Sequence, residues 1–149
     1  MPSGHDGDPS SPTPLRVLIV EDEMFIALDV EMMVEAAGHG VVGIAADVES
    51  CLRAARSSPP DVVLMDLRLR GGDSGEEAAR RLRDDLGVPC IFVSGNLDDA
   101  TVERLRALDP VAFVGKPILP PRLTDALRAV SEQLEASSAA NGEPVRRLF

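Results

Sequence analysis

The chain has 149 residues, of which 44% are hydrophobic and 27% charged, a balance that supports one domain with its own core and no need of staples. The formal charge of −10 argues against nucleic acid or an anionic membrane as the main partner. No apolar run approaches the ~20 residues of a membrane span, no secretory signal opens the chain, and the two cysteines, Cys51 and Cys90, read as buried thiols in a reducing, cytoplasmic setting.

Residues 1–14 (MPSGHDGDPSSPTP) are rich in Pro and Ser and read as a flexible tail. Leu15 to Val20 is a short aliphatic run, the signature of a buried strand. Met24 to Ala37 has helical length and stops at Gly38-His39-Gly40, where His39 reads as a turn residue. Val41 to Ala45 reads as a second strand. Asp47 can cap a helix to about Ser57, with Val48, Leu52 and Ala55 on one face. After Pro59-Pro60, Val62 to Met65 is a third strand, and a loop with Gly71-Gly72 leads to a helix from Gly75 to Leu86. Cys90 to Val93 is the fourth strand. Asp98 can cap a helix to about Leu108, and Val111 to Val114 is the fifth strand. The last helix starts at Pro120-Pro121, and Leu123, Leu127, Val130 and Leu134 form its apolar stripe. Residues 137–149 read as a second irregular tail, so the acidity belongs to residues 15–136.

Five strand-helix units in alternation predict an α/β, doubly wound parallel sheet with helices on both faces and right-handed crossovers. Ligands of such open sheets bind outside the carboxyl ends of the strands. Those ends carry Glu21-Asp22-Glu23, Asp66, Ser94-Gly95 and Gly115-Lys116-Pro117. Glu21, Asp22 and Asp66 would repel one another without a cation. Oxygen ligands select a hard ion such as Mg²⁺, which commonly takes one or two carboxylates plus phosphate oxygens. Lys116 is the chain's only lysine among its 15 basic residues, and a compact ammonium suits a phosphoryl oxygen in a narrow site. A carboxylate, a hydroxyl, an ammonium and a metal together suit phosphoryl transfer to Asp66. Each residue also has a plainer reading: solvated loop charge for 21–23, a turn start for Asp66, a common turn residue for Ser94. Neither His5 nor His39 stands where acyl transfer would need a base.

Residues 15–136 resemble the receiver domain of bacterial two-component response regulators. The resemblance is carried by VLIVEDE at 17–23, DVVLMDLRL at 61–69, FVSG at 92–95 and FVGKP at 113–117. It implies a five-stranded sheet in the order 2-1-3-4-5 and an Asp66 that accepts a phosphoryl group from a sensor histidine kinase. It implies Mg²⁺ ligation by Asp22, Asp66 and the backbone carbonyl of Arg68, with Glu21 acting through water. Lys116 would hold one phosphoryl oxygen, Ser94 would swing in to another, and Phe113 would turn inward behind it. A cis bond before Pro117 is also implied. Two departures stand out. Arg70 occupies the usual place of a proline after the acceptor. The run Pro89 to Asn96 is similar to the PFxFATGY pattern of one subgroup of single-domain regulators, with Pro89, Phe92 and Gly95 matching, Ser94 for Thr, and Asn96 for the aromatic. That kinship implies a kinase of the HWE or a related class.

The expectation is therefore a stand-alone regulator that is not an enzyme in its own right. Its output would pass through a downstream protein target or a phosphotransfer protein, with no nucleic acid and no membrane insertion. One alternative is a receiver-like scaffold that works without phosphorylation. Another is a Mg²⁺-dependent phosphatase, disfavoured because Arg68 stands where such enzymes commonly carry a second Asp. A flavodoxin-like FMN protein is disfavoured because Glu21-Asp22-Glu23 would repel the phosphate.

Overall fold

The structure, a computed structural model, describes residues 13–140. Five strands, β1 (Arg16–Val20), β2 (Gly40–Ala45), β3 (Val62–Asp66), β4 (Cys90–Ser94) and β5 (Ala112–Gly115), form one parallel sheet in the order β2-β1-β3-β4-β5. Five helices alternate with them: α1 (Met24–Ala36), α2 (Val48–Ser57), α3 (Gly75–Arg81), α4 (Asp99–Leu105) and α5 (Pro120–Ala140).

The strand residues divide by parity, as a pleated sheet covered on both faces requires. Leu18, Val20, Val63, Met65, Cys90 and Phe92 point to one face, where Cys51, Leu52 and Ala55 of α2, Ala78 and Ala79 of α3 and Leu105 of α4 complete one core. Val17, Ile19, Val62, Leu64, Ile91, Val93 and Val114 point to the other, against Ala27, Val30 and Val34 of α1 and Leu123, Ala126, Leu127 and Val130 of α5. Both cysteines are buried free thiols, and burial pushes the Cys51 thiol up to about 12.

Local chemistry accounts for the helix starts. Asp47 accepts from Ser50 N at 2.8 Å, and the Ser50 hydroxyl in turn accepts from Asp47 N, a reciprocal cap. Ser74 accepts from Glu76 N and Glu77 N, and Asp98 accepts from Thr101 N. Several ends differ from the sequence reading. The helix expected over 75–86 is α-helical only to Arg81 and closes with a π-helical turn, Leu82–Leu86, whose Gly87 N reaches back to Leu82 O, with Val88 N on the same oxygen at 3.2 Å. The helix expected to Leu108 ends as a 3₁₀ turn, Arg106–Leu108, before Asp109 at φ 53°. α5 continues to Ala140, past the boundary expected at 136, and Thr13 O accepts from Ser131 Oγ at 3.4 Å. The remainder of both expected tails lies outside the described residues.

His39 is more than a turn residue. It is buried, and its Nδ1 accepts from Leu15 N at 2.9 Å, tying the start of β1 to the α1–β2 connection. Among the described residues, no helix is long and apolar enough to cross a membrane.

Candidate functional site

Parallel register gathers the strand ends at one edge. Val20 pairs with Met65, Asp66 with Val93, and Ser94 with Gly115. The ladder extends one step further at each side, through Glu21 N to Ala45 O and Lys116 N to Ser94 O, both at 2.9 Å. Glu21, Asp66 and Lys116 therefore emerge side by side although they are far apart in sequence. One carboxylate oxygen each from Glu21, Asp22 and Asp66 lies within 4.8 Å of the others.

Lys116 Nζ donates to Glu21 Oε1 at 2.9 Å and to Asp66 Oδ2 at 3.1 Å. The second oxygen of each acid is also engaged. Asp66 Oδ1 accepts from Arg68 N at 3.2 Å, and Glu21 Oε2 accepts from Glu23 N at 3.2 Å. Glu21 and Asp66 are buried; Asp22 and Lys116 are half-buried. Burial pushes the Glu21 carboxyl up from its ordinary value and outweighs the hydrogen bonds from Lys116 and Glu23 that pull it down. For Lys116, burial favours the neutral amine, but the hydrogen bonds to Glu21 and Asp66 win and raise it, so the ammonium persists.

Three carboxylates facing one ammonium leave an excess of negative charge that a divalent cation would neutralise. The donors are all oxygen, which suits Mg²⁺ by its preference for hard ligands. Leu67 O accepts from Gly75 N at 3.0 Å and Leu69 N donates to Asp73 O at 3.1 Å, with Arg68 and Ser74 bridged between them. In an extended ladder the groups of the intervening residue leave the opposite edge. The Arg68 N–H does so, toward Asp66 Oδ1, and in such a ladder the carbonyl of a residue leaves by the same edge as its N–H. The residues present fit the ion.

Ser94 stands at the end of β4, but its hydroxyl is occupied elsewhere. Its Oγ accepts from Asn96 N at 3.0 Å within its own turn, with Asn96 O at 3.4 Å. Phe113 lies off the carboxylate cluster. It is half-buried on the α2–α4 face, stacked on its register partner Phe92 with ring centroids 6.1 Å apart. The Lys116–Pro117 peptide bond is cis. Two contributors escaped the sequence reading. Gly75 packs so closely that a Cβ there would stand 2.0 Å from Asp66 O. Asp73 reaches Val48 N at 3.0 Å. Neither position carries a pattern that marks it; a glycine after Ser74 and an acid in a loop are ordinary.

Comparison with known proteins agrees with this geometry. Residues 17–128 match the response regulator receiver domain family. The chain is 36% identical over 107 residues to the phyllosphere-induced regulator PhyR of Methylorubrum extorquens, covering 70% of this chain and 39% of that one. It is 29% identical over 141 residues to the transcriptional regulatory protein PdtaR of Mycobacterium tuberculosis, covering 95% of this chain and 68% of that one. Among solved structures, the response regulator PhyR from Brucella abortus superposes with a TM-score of 0.76 at 34% identity, over 87% of this chain and 53% of that one. With its five-stranded order and its matched motifs, the chain belongs to the receiver-domain family of two-component response regulators.

Proposed function

We propose that Asp66 is the phosphoryl acceptor of this receiver and that phosphorylation switches a protein-binding face or passes the group onward. The observation that carries this reading is the Lys116 ammonium, 2.9 Å from Glu21 and 3.1 Å from Asp66, within the carboxylate cluster at the sheet edge. Asp22, Asp66 and the Arg68 carbonyl would hold Mg²⁺, with Glu21 acting through water. When bound, the ion neutralises charge on the phosphoryl oxygens.

An Asp66 oxygen attacks phosphorus of a phosphohistidine, the phosphorus–nitrogen bond breaks, and the imidazole leaves. Arg68 N and Lys116 Nζ each donate to one Asp66 oxygen and so orient the carboxylate. Lys116 then transfers its hydrogen bond to a phosphoryl oxygen. Ser94 reaches another only by releasing Asn96, which couples the chemistry to the β4–α4 loop. Phe113 follows inward, and the face made by α4, β5 and α5 changes. The donor is a sensor histidine kinase, of the HWE or a related class by the Pro89–Asn96 run. Its docking surface is the solvent side of α1, where Met24, Phe25, Leu28 and Met32 are exposed immediately after the acidic turn.

The test is intact mass after incubation with Mg²⁺ and acetyl phosphate, beside Asp66→Asn and an EDTA control. One added phosphoryl group, absent from both controls, is expected. No addition, with no Mg²⁺ uptake either, would replace this reading with a phosphorylation-independent scaffold. Continuous turnover of a phosphoester would replace it with the phosphatase.

A further inference from the structure

We propose that Asp73 is a positioning residue for the cation site, locking the Arg68 carbonyl in place from the N-terminus of α2. This rests on the reading of Glu21, Asp22, Asp66 and Arg68 as the Mg²⁺ site. The loop from Asp66 to Gly75 doubles back on itself through Gly71 and Gly72, whose φ values of 71° and 81° suit glycine. Within the loop, Leu69 N donates to Asp73 O at 3.1 Å and Asp73 N to Arg70 O at 3.3 Å, and Leu69 is buried. Its turn, Arg70–Gly72, is exposed and buries no side chain.

Two ties hold it from outside, and both go to the β2–α2 connection. Arg70 N donates to Ala46 O at 3.2 Å. The Asp73 carboxylate accepts from Val48 N, the first N–H of α2, at 3.0 Å. That N–H has no partner inside the helix, and the helix N-terminus favours an acid. Asp47 already serves Ser50 N, so Asp73 takes the donor that the helix's own cap leaves open. Asp73 is also the backbone partner of Leu69, at 3.1 Å, and its neighbour Ser74 bridges Arg68. Arg68 N in turn reaches Asp66. The chain of contacts runs from α2 through Asp73 and the Leu69 and Ser74 rungs to Arg68, and so to the acceptor. The plain alternative is that Asp73 only caps α2. Capping alone predicts lost stability with unchanged Mg²⁺ affinity; positioning predicts weakened Mg²⁺ affinity as well.

The experiment is calorimetric Mg²⁺ titration of the full chain as wild type, Asp22→Asn, Asp73→Ala, Asp73→Asn and Val48→Pro. Asp73→Asn keeps an oxygen acceptor for Val48 N. Val48→Pro removes the donor instead, at the first helical position, where proline is tolerated; Asp47 before it is extended at φ −149° and ψ 176°, as a residue preceding proline prefers. This variant cuts the same contact if Asp73→Ala does not fold. The expected result is Mg²⁺ binding weakened roughly tenfold by Asp73→Ala and by Val48→Pro, as for other supports of metal ligands. Asp73→Asn should bind near wild type, and the Arg68 amide resonance should move in the two weakened variants. Affinity within twofold of wild type in Asp73→Ala or Val48→Pro, with Asp22→Asn abolishing binding, would overturn the proposal and leave the site reading standing. Asp22→Asn binding like wild type, or no binding by wild type, would overturn the site reading and the proposal with it.

Discussion

At the scale of single residues, two positions carry constraints out of proportion to their side chains. His39 is 7% exposed and uses Nδ1 as an acceptor for Leu15 N, so only the neutral ring fits. Burial holds its pKa below the ordinary value of 6.5. The unfolded chain therefore takes up a proton at a higher pH than the folded one, and stability present above about pH 6.5 is lost as the pH falls below it. His39→Asn keeps an acceptor near the place of Nδ1 without titrating. Urea unfolding at about pH 7.5 and 5.5 should show a larger acid loss in wild type than in His39→Asn; equal losses would place the acid sensitivity elsewhere. Gly75 faces the opposite end of the sheet. Its imagined Cβ meets Asp66 O at 2.0 Å and Asp66 C at 2.9 Å, both backbone atoms that cannot step aside. Gly75→Ala should cost about 1–3 kcal/mol of unfolding free energy, the usual range for overpacking, read from the urea midpoint at constant slope. An unchanged midpoint would mean that α3 can shift away from β3 freely.

At the scale of elements, α1 departs from the usual division of an amphipathic helix. Ala27, Val30 and Val34 face the core, yet the outer side is also apolar, with Phe25 88% and Met32 69% exposed. The polar residues of this helix are acidic, Asp29, Glu31 and Glu35, and it contains no basic residue. The folded core leaves these apolar groups in water, which suits a surface that a partner covers. Phe25→Ala should slow phosphoryl transfer from a phosphohistidine donor protein roughly tenfold, the worth of one interface anchor of about 1.4 kcal/mol. Acetyl phosphate, which needs no docking, should still phosphorylate the variant at the wild-type rate. Equal slowing with both donors would mean that Phe25 acts on the site itself. The helix ends show why boundaries are harder to read than elements. The run 75–86 has unbroken helical character, but its last turn is π-helical and stops at Gly87 in the left-handed region, with Val88 N bonded to Leu82 O.

At the scale of the whole molecule, charge and packing are separated. Two apolar layers flank the sheet, while the acids just after β1 and at the end of β3 meet at one edge with the Lys116 ammonium among them. Mutual repulsion of Glu21, Asp22 and Asp66 opposes folding, and a divalent ion bound among them would relieve it. Mg²⁺ at ten times its dissociation constant should therefore raise the unfolding free energy by about 1.4 kcal/mol, the mass-action value. The thermal midpoint should rise with it, and the rise should vanish in EDTA and in Asp22→Asn. A rise that survives Asp22→Asn would locate the ion away from this cluster.

Much of this was legible in the chain itself. Short aliphatic runs at regular spacing determined five strands and the parallel sheet, because burial on both faces demands apolar residues at successive positions. Acids and the single lysine after those runs marked residues that meet, because parallel strands bring their carboxyl ends to one edge. What only the tertiary structure decided are relations between segments that no local pattern records. The Ser94 hydroxyl is held by Asn96 rather than by the site. His39 serves Leu15 across 24 residues of sequence, and Asp73 serves Val48 across 25. Gly75 is required by the Asp66 backbone and not by its own turn. A hydrogen bond or a close approach between distant segments exists only once the sheet has placed both partners, and the same residue types in another register would have been ordinary loop and turn.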